Sequence, residues 1–424
     1  MAAARYINTR MTYFAFIRAH YRFLLFGFFM MGLSNFGQTF FIALYSNEIR
    51  TLFELSNAGF GGLYSAMTLL SAFVMVVSGR LIDGWSLWRF TLFVLVGLAI
   101  GCVIMGFAQH VFVLAVALFL LRHFGQGLSS HTGMTTAGRS FDANRGQAVS
   151  LVQLGYASFE GVFPLMAVAL MLLVGWQQSW FVFAGILLFI AVPMQLFLSR
   201  SEPKGEPEGD PKIDEDAAPV IAADRGDVLR DRRFYMLLPL YLAPPFFLTG
   251  LFFHQVQLAE TRDWPLEALA AAFTLYAFAK VSISLISGPM IDRFSALRFL
   301  PFTAFPLLLA FSLLLIDANL FGAWTPFVYM GLIGINLGMA GPVSGGLWPE
   351  LFGTAHLGAI RSLTSPIVIT ATAVAPVLFG LVIDAGIGFD AIALSAIGFI
   401  VLAALLAFSV PADKLAATKG DQYE

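Results

Sequence analysis

Apolar residues run in long blocks along this chain, and polar residues collect in short stretches between them. Twelve blocks approach the roughly 20 residues that a helix needs to cross a bilayer. They cover 22–46, 57–79, 90–109, 112–137, 147–175, 179–198, 235–258, 266–290, 299–316, 324–347, 358–383 and 388–410. Lipid offers no partner to a backbone N–H or C=O, so each block is expected to be helical. The polar stretch 199–234 differs from everything around it. It contains Pro203, Pro207, Pro211 and Pro219 and the acidic run Asp214-Glu215-Asp216. Such a segment has too little apolar surface to build a core and reads as a flexible linker. It separates an N-terminal six-helix bundle, 1–198, from a C-terminal one, 235–424. The expected fold class is all-α: a polytopic membrane protein with twelve transmembrane helices in two pseudo-symmetric six-helix bundles.

Composition agrees. Of 424 residues, 58% are hydrophobic and 12% charged, about half the charged share of a soluble domain. The single cysteine, Cys102, excludes an intrachain disulfide and a cysteine-based metal cluster. No short apolar core followed by small residues marks a cleavable leader near the N-terminus. The basic residues orient the helices. With the N-terminus inside, the outer loops hold only Arg50 and Arg262, and the remaining loop and terminal Lys and Arg fall on the inner side. That asymmetry places both termini in the cytoplasm and the chain in the cytoplasmic (inner) membrane.

The two halves repeat local signals. Gly79-Arg80-Leu81-Ile82-Asp83-Gly84 follows the second block, and Gly288-Pro289-Met290-Ile291-Asp292-Arg293 follows the eighth. Arg89 and Arg298 come shortly afterwards. Block five opens at Gly146 and holds Pro164; block eleven opens at Gly358 and holds Pro376, at the same distance. A repeat of six spans is a parallel repeat about an axis along the membrane normal. With twelve spans, a charged central loop, these Gly-x-x-x-Asp loops and Arg122-His123-Phe124-Gly125 in span four, the chain resembles the major facilitator superfamily. Gly84 and Trp85 depart from that family's loop pattern. The resemblance implies a secondary active transporter working by alternating access. It also implies an inner-side gating role for Asp83 and Asp292, with Arg139 or Arg145 the expected partners of Asp83 and Arg361 that of Asp292. Spans one, four, seven and ten are then expected to line a cavity, with two, five, eight and eleven beside it.

Three charges sit near the middle of apolar blocks: Arg122, Glu160 and Lys280. A charge at membrane depth costs about 2.5–3.5 kcal/mol on insertion scales, so it is expected to have a partner or a function. Lys280 is too deep for its stem to reach the interface readily. One cation from each half suits the clamping of an anion, and Gln38, Tyr276 and Asn336 are the uncharged polar residues best placed to assist. Glu160 has two readings, a static partner for Arg122 or a proton carrier. Burial favours the neutral acid and an adjacent guanidinium the carboxylate. A substrate anion competing for Arg122 would then load a proton onto Glu160. The expected function is proton-coupled transport (symport) of a small organic anion such as a mono- or dicarboxylate; the alternative is a proton-driven exporter of drugs or amphipathic metabolites. The partners expected are a small-molecule substrate, protons or another coupling ion, and the bilayer, with the chain acting as a monomer. No enzyme motif, cofactor, metal site or nucleic-acid footprint is expected: no P-loop and no His-Glu-x-x-His pair occur.

Overall fold

A computed structural model describes residues 13–141, 144–203, 225–316, 321–353 and 357–410. No strand occurs among them, and 12 helices are long and apolar enough to cross a membrane. In chain order these spans are Tyr13–Gly37, Asn57–Gly84, Leu87–Gly106, Val111–Arg139, Arg145–Val174, Trp176–Ser199, Arg232–Phe253, Leu266–Ile291, Ala296–Leu315, Gly322–Phe352, Leu363–Asp384 and Gly388–Phe408. Span one begins earlier than its apolar block, because Arg18 and Arg22 can stand in the first turns with their heads in the polar layer. Several prolines stay inside helices, among them Pro164, Pro244, Pro342 and Pro376. Neighbouring helices re-satisfy the backbone groups that a proline frees, so membrane helices tolerate them.

The chain divides into two compact units, 1–45 with 66–213 and 46–65 with 214–424. In the first unit, span one packs along span five at very short range. A methyl group on Gly155 would lie 1.9 Å from the Phe28 carbonyl oxygen, so only glycine permits this approach. Beside it lies an aromatic core: Phe36 meets Phe163 at 4.8 Å and Phe183 at 5.2 Å between ring centres. Phe41 meets Trp180 at 5.8 Å.

In the second unit, spans eight and ten are the tightest pair. A methyl on Gly334 would lie 2.4 Å from the Tyr276 carbonyl oxygen, and one on Gly338 2.7 Å from that of Lys280. The stretch Ser46–Ser65, which opens span two, belongs to this unit. Its helix starts with every early donor satisfied. Asn57 N–H and Ala58 N–H donate to the Asp384 carboxylate at 3.0 and 2.8 Å, the Asn57 side chain adds 2.8 Å, and Gly59 N–H donates to Ser56 Oγ at 3.0 Å. A carboxylate at a helix N-terminus gains from both the orphan N–H groups and the helix dipole.

Candidate functional site

Span one does not run straight through. Its α-helix, Tyr13–Leu33, tightens into a 3-10 turn, Ser34–Gly37, and Gln38 is extended at φ −79° and ψ 151° before helix resumes at Thr39. The break leaves carbonyls without the usual i+4 partner. Arg122 supplies one: its Nη1 donates to the Gly37 carbonyl at 2.8 Å. Arg122 lies in a π-helical stretch of span four, Leu121–Ser129. Widened turns of this kind are rare and gather at functional sites. The two distorted segments touch through glycine, since a methyl on Gly37 would lie 2.2 Å from the Leu121 carbonyl oxygen. Gln38, at the break itself, is half-buried.

Glu160 stands near the middle of span five and is 2% exposed. Span five is tied to the same break. The Asn35 amide donates to the Tyr156 carbonyl, one turn before Glu160, at 3.1 Å, and to the Gly32 carbonyl at 2.9 Å. Span one thus receives span four at Gly37 and span five at Asn35, and the buried Arg122 and Glu160 belong to the two helices that meet it there. His123, next to Arg122, turns the other way: its Nε2 lies 3.2 Å from Ser78 Oγ on span two, and its ring stacks on Phe119.

In the second unit, Lys280 is half-buried near the middle of span eight. Its ammonium donates to the Tyr276 hydroxyl at 3.4 Å and lies 5.4 Å from the centre of that ring. Tyr276 is 1% exposed and is held edge-on by Phe252 and Phe273, at 5.8 and 5.7 Å. Asn336 is fully buried and gives its amide to the Thr303 carbonyl at 2.7 Å. That bond joins span ten to the start of span nine, the helix-to-helix role that polar residues commonly fill in membranes.

At the turn after span two, Arg139 Nη1 lies 3.9 Å from Asp83, and Arg139 also pairs with Glu202 at 3.3 Å. The Asp83 carboxylate is 74% exposed, so this pair is weak. Arg145 stands exposed at the first turn of span five. The side chains of Asp292 and Arg361 lie outside the described residues.

Residues 24–272, more than half of the chain, match the Major Facilitator Superfamily. The chain belongs to that family. It is a multi-pass membrane transporter and not an enzyme. Solved structures share its fold. The bacterial homologue of the human lysosomal transporter Spinster, inward-facing and occupied, is 15% identical with a TM-score of 0.63, covering 94% of this chain and 97% of its own. A variant of the nucleoside transporter NupG is 13% identical with a TM-score of 0.65, covering 92% and 99%. No curated protein matches the chain.

Sequence reading missed two elements of this facilitator. The first is Asp384, whose only signal was an acid at the end of a span; its partner Asn57 lies far away in sequence. The second is the break at Gln38, where no proline announces the interruption. Its only trace was the polar run Ser34-Asn35 followed by Gly37-Gln38.

Proposed function

We propose that this facilitator moves a small organic anion, a mono- or dicarboxylate, across the cytoplasmic membrane by alternating access with protons as the coupling ion. The observation that carries the reading is Lys280: a half-buried ammonium near mid-span, steadied by the hydroxyl and ring of a buried tyrosine. A cation at that depth is stabilised by any anion that reaches it, and tyrosine adds a hydrogen-bond donor beside it. Arg122 is the second cation and Gln38 its polar neighbour at the break in span one. Glu160 is the proton carrier, since it is a deeply buried carboxylate one helix away from Arg122. Asn336, whose amide joins span ten to span nine, is the weaker candidate for substrate contact. On the inner side, Asp83 with Arg139, and Asp292 with Arg361, form the gating pairs, and Arg145 adds positive charge at the start of span five. Both termini face the cytoplasm, and the monomer is the working unit.

The test begins with a thermal-shift screen of small mono- and dicarboxylates on the purified protein, followed by uptake of the stabilising anion into proteoliposomes. Uptake should accumulate under an inwardly directed proton gradient. Glu160→Gln should keep counterflow and lose that accumulation. Gradient-driven accumulation by Glu160→Gln at the wild-type level would exclude the proton role. Stabilisation by organic cations alone would exclude the anion class.

A further inference from the structure

A cavity of about 550 Å³ opens at the turn between spans eight and nine. Arg293, Phe294, Ser295, Arg298 and Glu350 are among its lining residues. Both arginines are exposed, and the Arg293 guanidinium lies 5.4 Å from the centre of the Phe294 ring. Glu350 faces the same space, but its oxygens are engaged at the wall: Oε2 accepts from Ala296 N–H at 2.7 Å, and Oε1 accepts from the Ser295 hydroxyl. Ser295 holds a left-handed backbone, φ 84°, a conformation unfavourable for a residue with a side chain. The Glu350 contacts fasten it, so the turn that presents the two arginines is fixed.

The corresponding turn of the first unit is built differently. Its cavity, about 500 Å³, is lined by Ser86, Leu87, Trp88, Ser199, Arg200 and Glu202 among others. Arg89 there stacks on Trp88, 5.3 Å from its ring centre, and does not line the space. Glu202 is drawn toward Arg139. A cavity presenting two arginines is therefore a property of the second turn rather than of the repeat.

Below the second turn the helices expose aromatic rings. Phe294, Phe302 and Phe305 are 52%, 57% and 64% exposed, and Phe302 meets Phe408, itself 60% exposed, at 6.0 Å. In a membrane protein such rings face acyl chains. Two exposed guanidinium groups on a turn whose flanking helices expose aromatic rings match a phosphate attached to a lipid tail. Arginine forks bind phosphate oxygens bidentately, and a cavity of several hundred cubic ångströms takes a small headgroup. We propose that the Arg293–Arg298 cavity binds the phosphate headgroup of an anionic phospholipid of the inner leaflet, with the acyl chains lying on Phe294, Phe302 and Phe305. The shared chemistry is a phosphate ester; the aromatic wall selects the lipid over a free anion. The site is independent of the substrate reading, and its assignment to the inner leaflet rests on the proposed orientation of the termini.

Native mass spectrometry of the full-length protein, titrated with phosphatidylglycerol or phosphatidylcholine, tests this. Phosphatidylglycerol should be retained in preference to phosphatidylcholine. Arg293→Gln with Arg298→Gln should weaken its binding about thirtyfold, from the usual contribution of each basic residue to anionic-lipid attraction. Arg293→Lys with Arg298→Lys should keep most of the binding, and Arg89→Gln all of it. Should the double glutamine variant aggregate, the single Arg293→Gln and Arg298→Gln variants are each expected to show a partial loss. Equal retention of the two lipids, undiminished binding by the glutamine variants, or displacement of the lipid by inorganic phosphate at comparable concentration would each overturn the proposal.

Discussion

Arg122 and Lys280 each stand near the middle of a span, one in each unit, and their surroundings differ. Arg122 is buried, and its guanidinium reaches a backbone carbonyl at a broken helix. Lys280 is half-buried, and its ammonium leans on a tyrosine. The difference follows the chemistry of the two side chains. Arginine carries five donors in a rigid fork, so it can hold a carbonyl that a helix break leaves over. Lysine is a compact point charge on a flexible stem, without such a fork. The first unit's cation thus also braces a broken helix, and the second's rests on an aromatic side chain. Tyr276 is itself held between Phe252 and Phe273.

The largest expected effect breaks this comparison on the functional side. Lys280→Ala should lower anion uptake by at least about a hundredfold, the scale of losing one partner of a desolvated charge contact, with the melting temperature little changed. Unaltered uptake in a folded Lys280→Ala protein would remove the residue from the site. Arg122→Ala acts on the other side of the comparison. It leaves the buried Gly37 carbonyl unpaired and should destabilise the protein by about 1–3 kcal/mol. Gly37→Ala should produce a loss of similar size, since its methyl would press on the span-four backbone. Denaturant or thermal unfolding in detergent measures both, and wild-type stability in Arg122→Ala would show that the carbonyl bond has no structural weight.

A smaller effect sharpens the contrast between packing and binding residues. Asn336→Ala should cost about 0.6 kcal/mol and at most about 1.7 kcal/mol, as for interhelical hydrogen bonds in membranes generally. Its KM for the proposed anion substrate should match the wild type; a raised KM would return Asn336 to the substrate site.

The smallest expected effect is a pH dependence in the loop of the second unit. Burial, with the nearby Glu260 adding to it, raises the pKa of Glu48, although its own backbone N–H acts in the opposite direction. The folded state then holds this proton more tightly than the unfolded chain. Stability from this group is full below the unfolded pKa and declines as pH rises through the ordinary carboxylate range toward the raised folded value. Glu48→Gln should flatten that decline and be slightly more stable than wild type at neutral pH. Parallel pH profiles for the two proteins would exclude the effect.

How much of this was legible beforehand varies with the kind of residue. The approach of Asp83 to one of two expected arginines was readable, because Asp83 belongs to a repeated loop motif and Arg139 and Arg145 end neighbouring helices. That Arg122, Glu160 and Lys280 lie near the middle of long helices was readable too, since position is a count along an apolar block. The direction of each side chain was not. Asn336 looked like a cavity residue from its helix number, yet it faces Thr303. Asp384, at the end of span eleven, drew no reading, yet it caps the first turn of span two.

By itself the sequence determined the twelve helical spans and the two-fold repeat. The reason is that lipid withholds hydrogen bonds from the backbone: a long apolar run has helix as its only open form, and its length is set by the bilayer. Only the tertiary structure decided where span one breaks, which carbonyl Arg122 reaches and which ring holds Lys280. Those outcomes depend on contacts a few ångströms wide between helices far apart in the chain. A glycine at Gly37 or Gly155, and the angle at which its neighbour passes, settles them, and neither is written in the local pattern of apolar and polar residues.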